Sequence, residues 1–328
     1  MQAMLKYHSK RYYPYFYQLY IEMKIAITGA TGLVGTRLVQ QLTAQKHDII
    51  VFTRNATKAQ RVFSPSSYPN VEIVQYTPLE SGEWQDRISG CDGVVNLAGE
   101  PISERWSAQH KQAILSSREI GTRKLVEAIA KAQDKPKVMV SGSAIGYYGT
   151  SETAAFDETS PQGNDFLAEV CQKWEAEAKA VEEYGVRLVI VRIGIVLADG
   201  GGALGKMLAP FKMGAGGPIG TGRQWFSWVH RDDLVNIIIQ ALTREDLAGV
   251  YNATAPNPVK MGQFCQTLGE VLNRPSWLPV PEFVLELLLG DGAVVVLEGQ
   301  QVLPKKTQSA GIEYSYPDVK SAIQEIVK

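Results

Sequence analysis

The sequence of 328 residues is poor in the side chains that hold a metal or cross-link a secreted fold. Its three cysteines, Cys91, Cys171 and Cys265, are far apart and odd in number, with no CxxC pair. That excludes a disulfide framework and a cysteine-built metal site, and it implies a reducing, cytoplasmic compartment. Four histidines, His8, His47, His110 and His230, are scattered singly, so neither a zinc site nor a histidine-based hydrolase triad is expected. An excess of one charge is lacking too. Lys and Arg number 33 against 34 Asp and Glu, a net charge of −1 that offers no footprint for nucleic acid or an anionic membrane. Residues 1–22 crowd Tyr7, Tyr12, Tyr13, Tyr15, Phe16, Tyr17 and Tyr20 around Lys6, Lys10 and Arg11, and Gln18 and Glu22 help break up any continuous apolar run. A secretory leader or membrane anchor is therefore disfavoured. The segment reads as an N-terminal extension, either mobile or an arm docking on a partner.

What is present begins at Met23. With 45% apolar residues the chain can bury one large core and a smaller lobe. Short apolar runs at 24–28, 48–52, 71–74, 93–97, 137–140 and 187–193 have the length of buried strands, and helix-length segments separate several of them. Such alternation predicts a doubly wound parallel sheet of the Rossmann class, with the ligand at the carboxyl ends of the strands. Between the first strand and the first helix lies TGATGLVG, which places Gly29, Ala30, Thr31, Gly32, Leu33 and Val34 at a dinucleotide site. There the first glycine permits a tight turn, the second leaves room for a pyrophosphate, and the third, Gly35, allows close helix packing.

The second strand ends in FTRN, so Arg54 stands where an acid would bind the adenosine ribose of NAD. A guanidinium suits a 2′-phosphate, which favours NADP(H) as cofactor; the alternative is a surface salt bridge. Lys58, one turn on, reads as a solvated lysine.

Together with NLAG at 96–99, the glycine turn resembles the extended short-chain dehydrogenase/reductase superfamily. The strings SGSAIGYYG (141–149), DFLAEVCQKWE (165–175), GGALGKMLAPFKMGAGGPIGTGRQWFSWVH (201–230) and YNATAPNPV (251–259) narrow it to the YfcH-like epimerase family. The resemblance implies a nucleotide domain over 23–195 that also receives 228–255, and cofactor contacts from Leu97, Ala98 and Gly99. It also implies an α+β substrate lobe with a small C-terminal helical domain over 196–328. In the extended reductases a serine at the end of the fifth strand works with a Tyr and a Lys in YxxxK. The serine position falls on Ser143, or on Ala144 if the alignment slips by one residue. Counting back from Glu175 puts Cys171 at the Lys position and Leu167 at the Tyr position, so both members of the dyad are missing. Lys173, rotated by about 200° around the helix, does not replace the lysine. Tyr147 and Tyr148 are the nearest remaining proton donors, and packing beneath a lid is the competing role for either.

The nine glycines between Asp199 and Gly222 read as a long loop or lid, with Met207, Leu208, Phe211 and Met213 needing a surface to cover. Arg223 is placed to reach an anionic or polar substrate group. Core packing accounts for at least two of Trp225, Phe226 and Trp228. In HRDD, Asp232 or Asp233 reads as a helix cap or first-turn acid.

Two functions remain open. One is an NADP(H)-dependent oxidoreductase or isomerase acting on an unidentified small molecule through Ser143 and Tyr147 or Tyr148. The other is a non-catalytic nucleotide sensor with a protein partner, since relatives in this family are linked with cell or plastid division and some work in a plastid-like compartment.

Overall fold

The computed structural model describes residues 22–328, so the reading of the tyrosine-rich extension lies outside the described residues apart from Glu22. Seven strands form one parallel sheet: β1 (Lys24–Thr28), β2 (Asp48–Thr53), β3 (Val71–Gln75), β4 (Gly93–Asn96), β5 (Val138–Ala144), β6 (Arg187–Ile193) and β7 (Gly249–Ala253). Their spatial order is β7-β6-β5-β4-β1-β2-β3. The chain reverses direction across the sheet between β1 and β4, which opens a crevice at their carboxyl ends. The apolar runs read from the sequence account for the first six strands; β7 was not among them, although its segment had been assigned to this domain.

Helices cover both faces. On one side α1 (Leu33–Ala44) buries Gly35, Leu38, Val39 and Leu42, the i, i+3, i+4, i+7 stripe of an amphipathic helix. It packs with α6 (Arg231–Thr243). On the other, α3 (Ala108–Lys131) and α4 (Phe166–Lys179) lie side by side. A second, smaller core gathers Leu204, Phe211, Phe226, Trp228, Phe264 and Ile323 beyond the sheet. This lobe includes α7 (Met261–Leu272), and α8 (Glu282–Leu289) follows it along the chain.

Three expectations in this region need correction. The glycine-rich stretch is not one long loop: α5 (Gly202–Lys212) occupies its first half, held by fully buried Leu204 and by Phe211. Met213 covers nothing and stands 76% exposed. Arg223 lies on the surface beside Glu152, at 3.6 Å, and does not line the cavity described below. The aromatic reading holds for Trp228 and Phe226, which are core residues. His230 caps α6 through Nδ1, while Asp232 and Asp233 are first-turn acids. Asp232 takes both prongs of Arg37 and so ties α6 to α1.

The turn between β1 and α1 depends on a close approach. Gly29 has φ +72°, and a Cβ there would lie 2.6 Å from the Leu97 carbonyl carbon, while one on Gly35 would lie 2.3 Å from the Gly29 oxygen. Gly29→Ala should therefore lower unfolding free energy by at least about 2 kcal/mol in chemical denaturation, from left-handed strain and overpacking together. A loss below about 0.5 kcal/mol contradicts this geometry.

Candidate functional site

The glycine turn ends in a helix start with no side-chain cap and no acid in its first turn. The N–H groups opening α1 thus face outward with their partial positive charge uncompensated. Gly32 is exposed, and a Cβ on it would meet only the Gly29 oxygen, at 3.3 Å. Removing the side chain here therefore serves the space outside the turn and not the packing within it. The Ala30 side chain is buried at 1% exposure and belongs to the core, which leaves its backbone as the part that can meet a ligand. Val34 also packs against that core, whereas Leu33 faces the neighbouring cavity.

Thr28 organises the adjoining edge. Its hydroxyl donates to Asn96 Oδ1 and accepts from the backbone N–H of Leu97 and Ala98, while Asn96 donates to Thr122. The NLAG segment is thereby fixed with its Leu97 and Ala98 amides already engaged. Gly99 is exposed beyond them, and a Cβ there would sit 2.8 Å from the Arg118 guanidinium carbon. Arg54 projects from the end of β2 with a 72% exposed side chain, 3.6 Å from Glu100. The surface salt bridge is present, and the guanidinium stays accessible.

None of the three candidate catalytic residues lines the cavity at the strand ends. Ser143 is buried at 1% exposure and donates to Glu175 Oε1 at 2.6 Å. Glu175 in turn makes a two-pronged ion pair with Arg192, both bonds at 2.8 Å and both residues 4% exposed. The Tyr148 hydroxyl accepts from Arg192 and donates to Asn252 on β7. Tyr147 presents its ring to the Arg192 guanidinium, 3.3 Å from the centroid. The expected catalytic trio is thus gathered around one buried ion pair. Burial pushes the Tyr148 phenol up to about 12. Burial also opposes the charge on Arg192, but hydrogen bonds and attraction from Glu175 outweigh it and raise the guanidinium above its ordinary value. Glu175 had served only as a register marker and Arg192 as part of a strand, so this pair escaped sequence reasoning; an acid and an arginine in otherwise apolar elements were its signal.

The cavity, about 740 Å³, opens beside the carboxyl ends of β5 and β6. Ala144 lines it and Ser143 does not. Leu167 and Cys171 both face it, one helical turn apart on α4, as their register requires. Lys173 points elsewhere, paired with Glu169 at 3.0 Å. Burial pushes the Cys171 thiol up to about 11, which keeps it protonated near neutral pH. Arg118 and Trp174 line the same wall, and α5 and α8 supply much of the rest.

Breaking the buried pair while leaving one charge behind should be costly. Glu175→Gln is expected to lower stability by about 3–5 kcal/mol, and the double change Glu175→Gln with Arg192→Met should recover much of that loss. Chemical denaturation of the two variants checks it; a single variant within about 1 kcal/mol of the parent contradicts the role given to the pair.

Comparison with known proteins agrees with this architecture. Residues 25–254 match the NAD dependent epimerase/dehydratase family, and residues 280–326 match a domain of unknown function, DUF1731. The chloroplastic SDR39U1 homolog of Arabidopsis thaliana, an epimerase family protein, is 51% identical over 94% of this chain and 87% of its own length. YfhF of Bacillus subtilis is 40% identical, covering 93% and 98%. The crystal structure of human SDR39U1 (isoform 2) with NADPH superposes with a TM-score of 0.81 at 36% identity, covering 93% of this chain and 99% of that one. Among the described residues no helix is long and apolar enough to cross a membrane. A parallel sheet in this order, a glycine turn opening α1 and a family match over most of the chain lead to one conclusion: the chain belongs to the NAD dependent epimerase/dehydratase family, within the extended short-chain dehydrogenase/reductases, and carries the C-terminal DUF1731 segment.

Proposed function

We propose that this chain binds NADP(H) along the carboxyl edge of its sheet and uses it in oxidoreductase or epimerase chemistry on a small molecule held in the cavity. The observation that carries this reading is the cavity itself, about 740 Å³ beside Leu33 of the glycine turn. A protein that only senses a nucleotide needs no such volume next to it. The cofactor fits the residues present: Gly32 and the uncapped N–H groups of α1 would hold the pyrophosphate. Arg54 would exchange Glu100 for the 2′-phosphate, a stronger charge-assisted partner. When bound, the cofactor supplies hydride transfer.

The chain's own contribution is unusual in what it withholds. Leu167 offers no proton at the position where a tyrosine is expected, and the protonated Cys171 thiol is at most a weak donor. Trp174, Phe166, Leu285 and Leu289 give the cavity apolar walls, which disfavour water around a bound substrate. A positioned acid or base is commonly worth ~10² to 10⁴-fold. Reduction of simple carbonyls should therefore run well below the ~10 s⁻¹ of an ordinary enzyme. The same Leu167 and Cys171 pair favours the second reading, a nucleotide sensor, which has no turnover at all.

Two measurements separate these outcomes. Fluorescence titration should show NADPH binding more tightly than NADH, and Arg54→Ala should erase most of a difference of about tenfold or more; equal affinity of the wild type for both nucleotides contradicts the cofactor assignment. NADPH consumption with a panel of apolar ketones should be slow but measurable. Complete absence of turnover across the panel, with NADPH binding intact, supports the sensor.

A further inference from the structure

Among the described residues, neither cation of the cavity wall meets a carboxylate, and one of them has an edge with no hydrogen bond at all. Arg118 projects from α3, and its Nη1 donates to the Glu100 and Ile114 carbonyl oxygens at 3.0 and 3.1 Å. Its Nε and Nη2 make no hydrogen bond among the described residues, and the nearby Glu100 carboxylate turns instead toward Arg54. The free Nε–Nη2 edge is the side of a guanidinium that presents two parallel N–H groups, the geometry that matches a carboxylate. Beneath it lies Trp174, its ring centroid 5.2 Å from the guanidinium carbon. Trp174 is 6% exposed, and its indole N–H is buried with no partner. Burial also pulls the Arg118 guanidinium below its ordinary value, the mark of a cation not yet compensated. A buried donor without an acceptor is costly, so the Trp174 N–H, lying beside a guanidinium edge that is also unbonded, requires an explanation.

The remainder of the cavity is apolar. Trp106, Phe166, Leu167, Met207, Leu285 and Leu289 form much of its surface. Its other basic side chain, Lys206, is engaged by the Ser103 carbonyl and hydroxyl, and its two carboxylates are also occupied: Asp165 caps α4 and Glu298 accepts from Thr150. At the rim stands Leu288, 62% exposed, with Phe283 and Leu287 of the same helix at 67% and 72%. Such a lining cannot satisfy the two phosphates and hydroxyl-rich ring of a nucleotide sugar.

We propose that the cavity takes an apolar molecule bearing a single carboxylate, whose acid group is gripped by the free edge of Arg118 beside the Trp174 indole N–H, with its body lying between α4, α5 and α8. The proposal names the ligand class for the cavity in which the cofactor reading places the chemistry, and so rests on that reading for its catalytic meaning. As a binding site it stands on Arg118 and Trp174 alone.

The test is calorimetric titration of the full chain, with and without saturating NADPH, using decanoate, decan-1-ol and UDP-glucose as probes. Decanoate should bind the wild type more tightly than decan-1-ol, and UDP-glucose should give no heat. Arg118→Gln should weaken decanoate at least about tenfold, the worth of a charged hydrogen bond, and leave decan-1-ol unchanged. Trp174→Phe, which removes the N–H with part of the ring, should weaken decanoate severalfold more than decan-1-ol, and that difference keeps the test decisive if the Arg118 variant does not fold. Failure of decanoate to bind the wild type, equal binding of acid and alcohol, or an Arg118→Gln variant that loses NADPH affinity but not decanoate affinity would each overturn the proposal. Loss of NADPH binding by the wild type, with the decanoate pattern intact, would instead remove the cofactor reading and leave this site standing.

Discussion

The buried ion pair between Glu175 and Arg192 is the interaction on which the arrangement of this site depends. Two charges at 4% exposure persist only if nearly every lone pair and proton is matched, and the chain matches them with Ser143 from β5, Tyr148 from the segment after it and Asn252 from β7 through Tyr148. Helix α4 is thereby tied to three neighbouring strands at their carboxyl ends. That tie has a chemical consequence. Hydroxyl groups that a family resemblance marks as catalytic are spent on holding the pair, and the cavity beside them is left with Leu167, Cys171, Ala144 and an arginine bonded on one side only, to backbone carbonyls.

Electrostatics therefore divides this edge of the sheet into three regions. The outer one, at Gly32 and the start of α1, offers uncompensated N–H groups and an accessible Arg54 to an anion. The inner one is a closed network of satisfied charges. Between them the cavity is mostly apolar, with two donors awaiting an acceptor, Arg118 and the Trp174 N–H. A proton inventory this small does not support the fast acid-base chemistry of ordinary reductases, yet it is well suited to binding a molecule with much apolar surface and little charge.

How much of this was legible in the residues differs by element, and the reason is physical. Strands β1 to β6 were readable because parallel strands buried on both faces are short, continuous apolar runs. β7 escaped because GVYNA carries Asn252, whose side-chain amide is satisfied only by Tyr148 and Leu303, far away in sequence. The glycine turn was readable since its requirement is local, a left-handed residue followed by a close approach. Helix α5 was misread because three of its eleven residues are Gly or Pro, and burial of Leu204 and Phe211 in the second core stabilises it against them. Leu167 and Cys171 face the cavity one turn apart on α4, a relation legible from the sequence because the face of a helix is set by local spacing. The surroundings of Ser143 were not legible, because its partner Glu175 and the Arg192 behind it come from elements later in the chain that only the fold brings together. Arg118 gave no sign of its role, as nothing in REIGTR distinguishes a cavity cation from a surface one.

A crystal structure of the chain with NADPH bound would test the central claim most directly. The account predicts that the nicotinamide end meets an open cavity walled by Leu167, Cys171 and Trp174, with Ser143 and Tyr148 still bonded to Glu175, Arg192 and Asn252. A Ser143, Tyr147 or Tyr148 hydroxyl within hydrogen-bond reach of the nicotinamide carboxamide or ribose, released from that network, would contradict it.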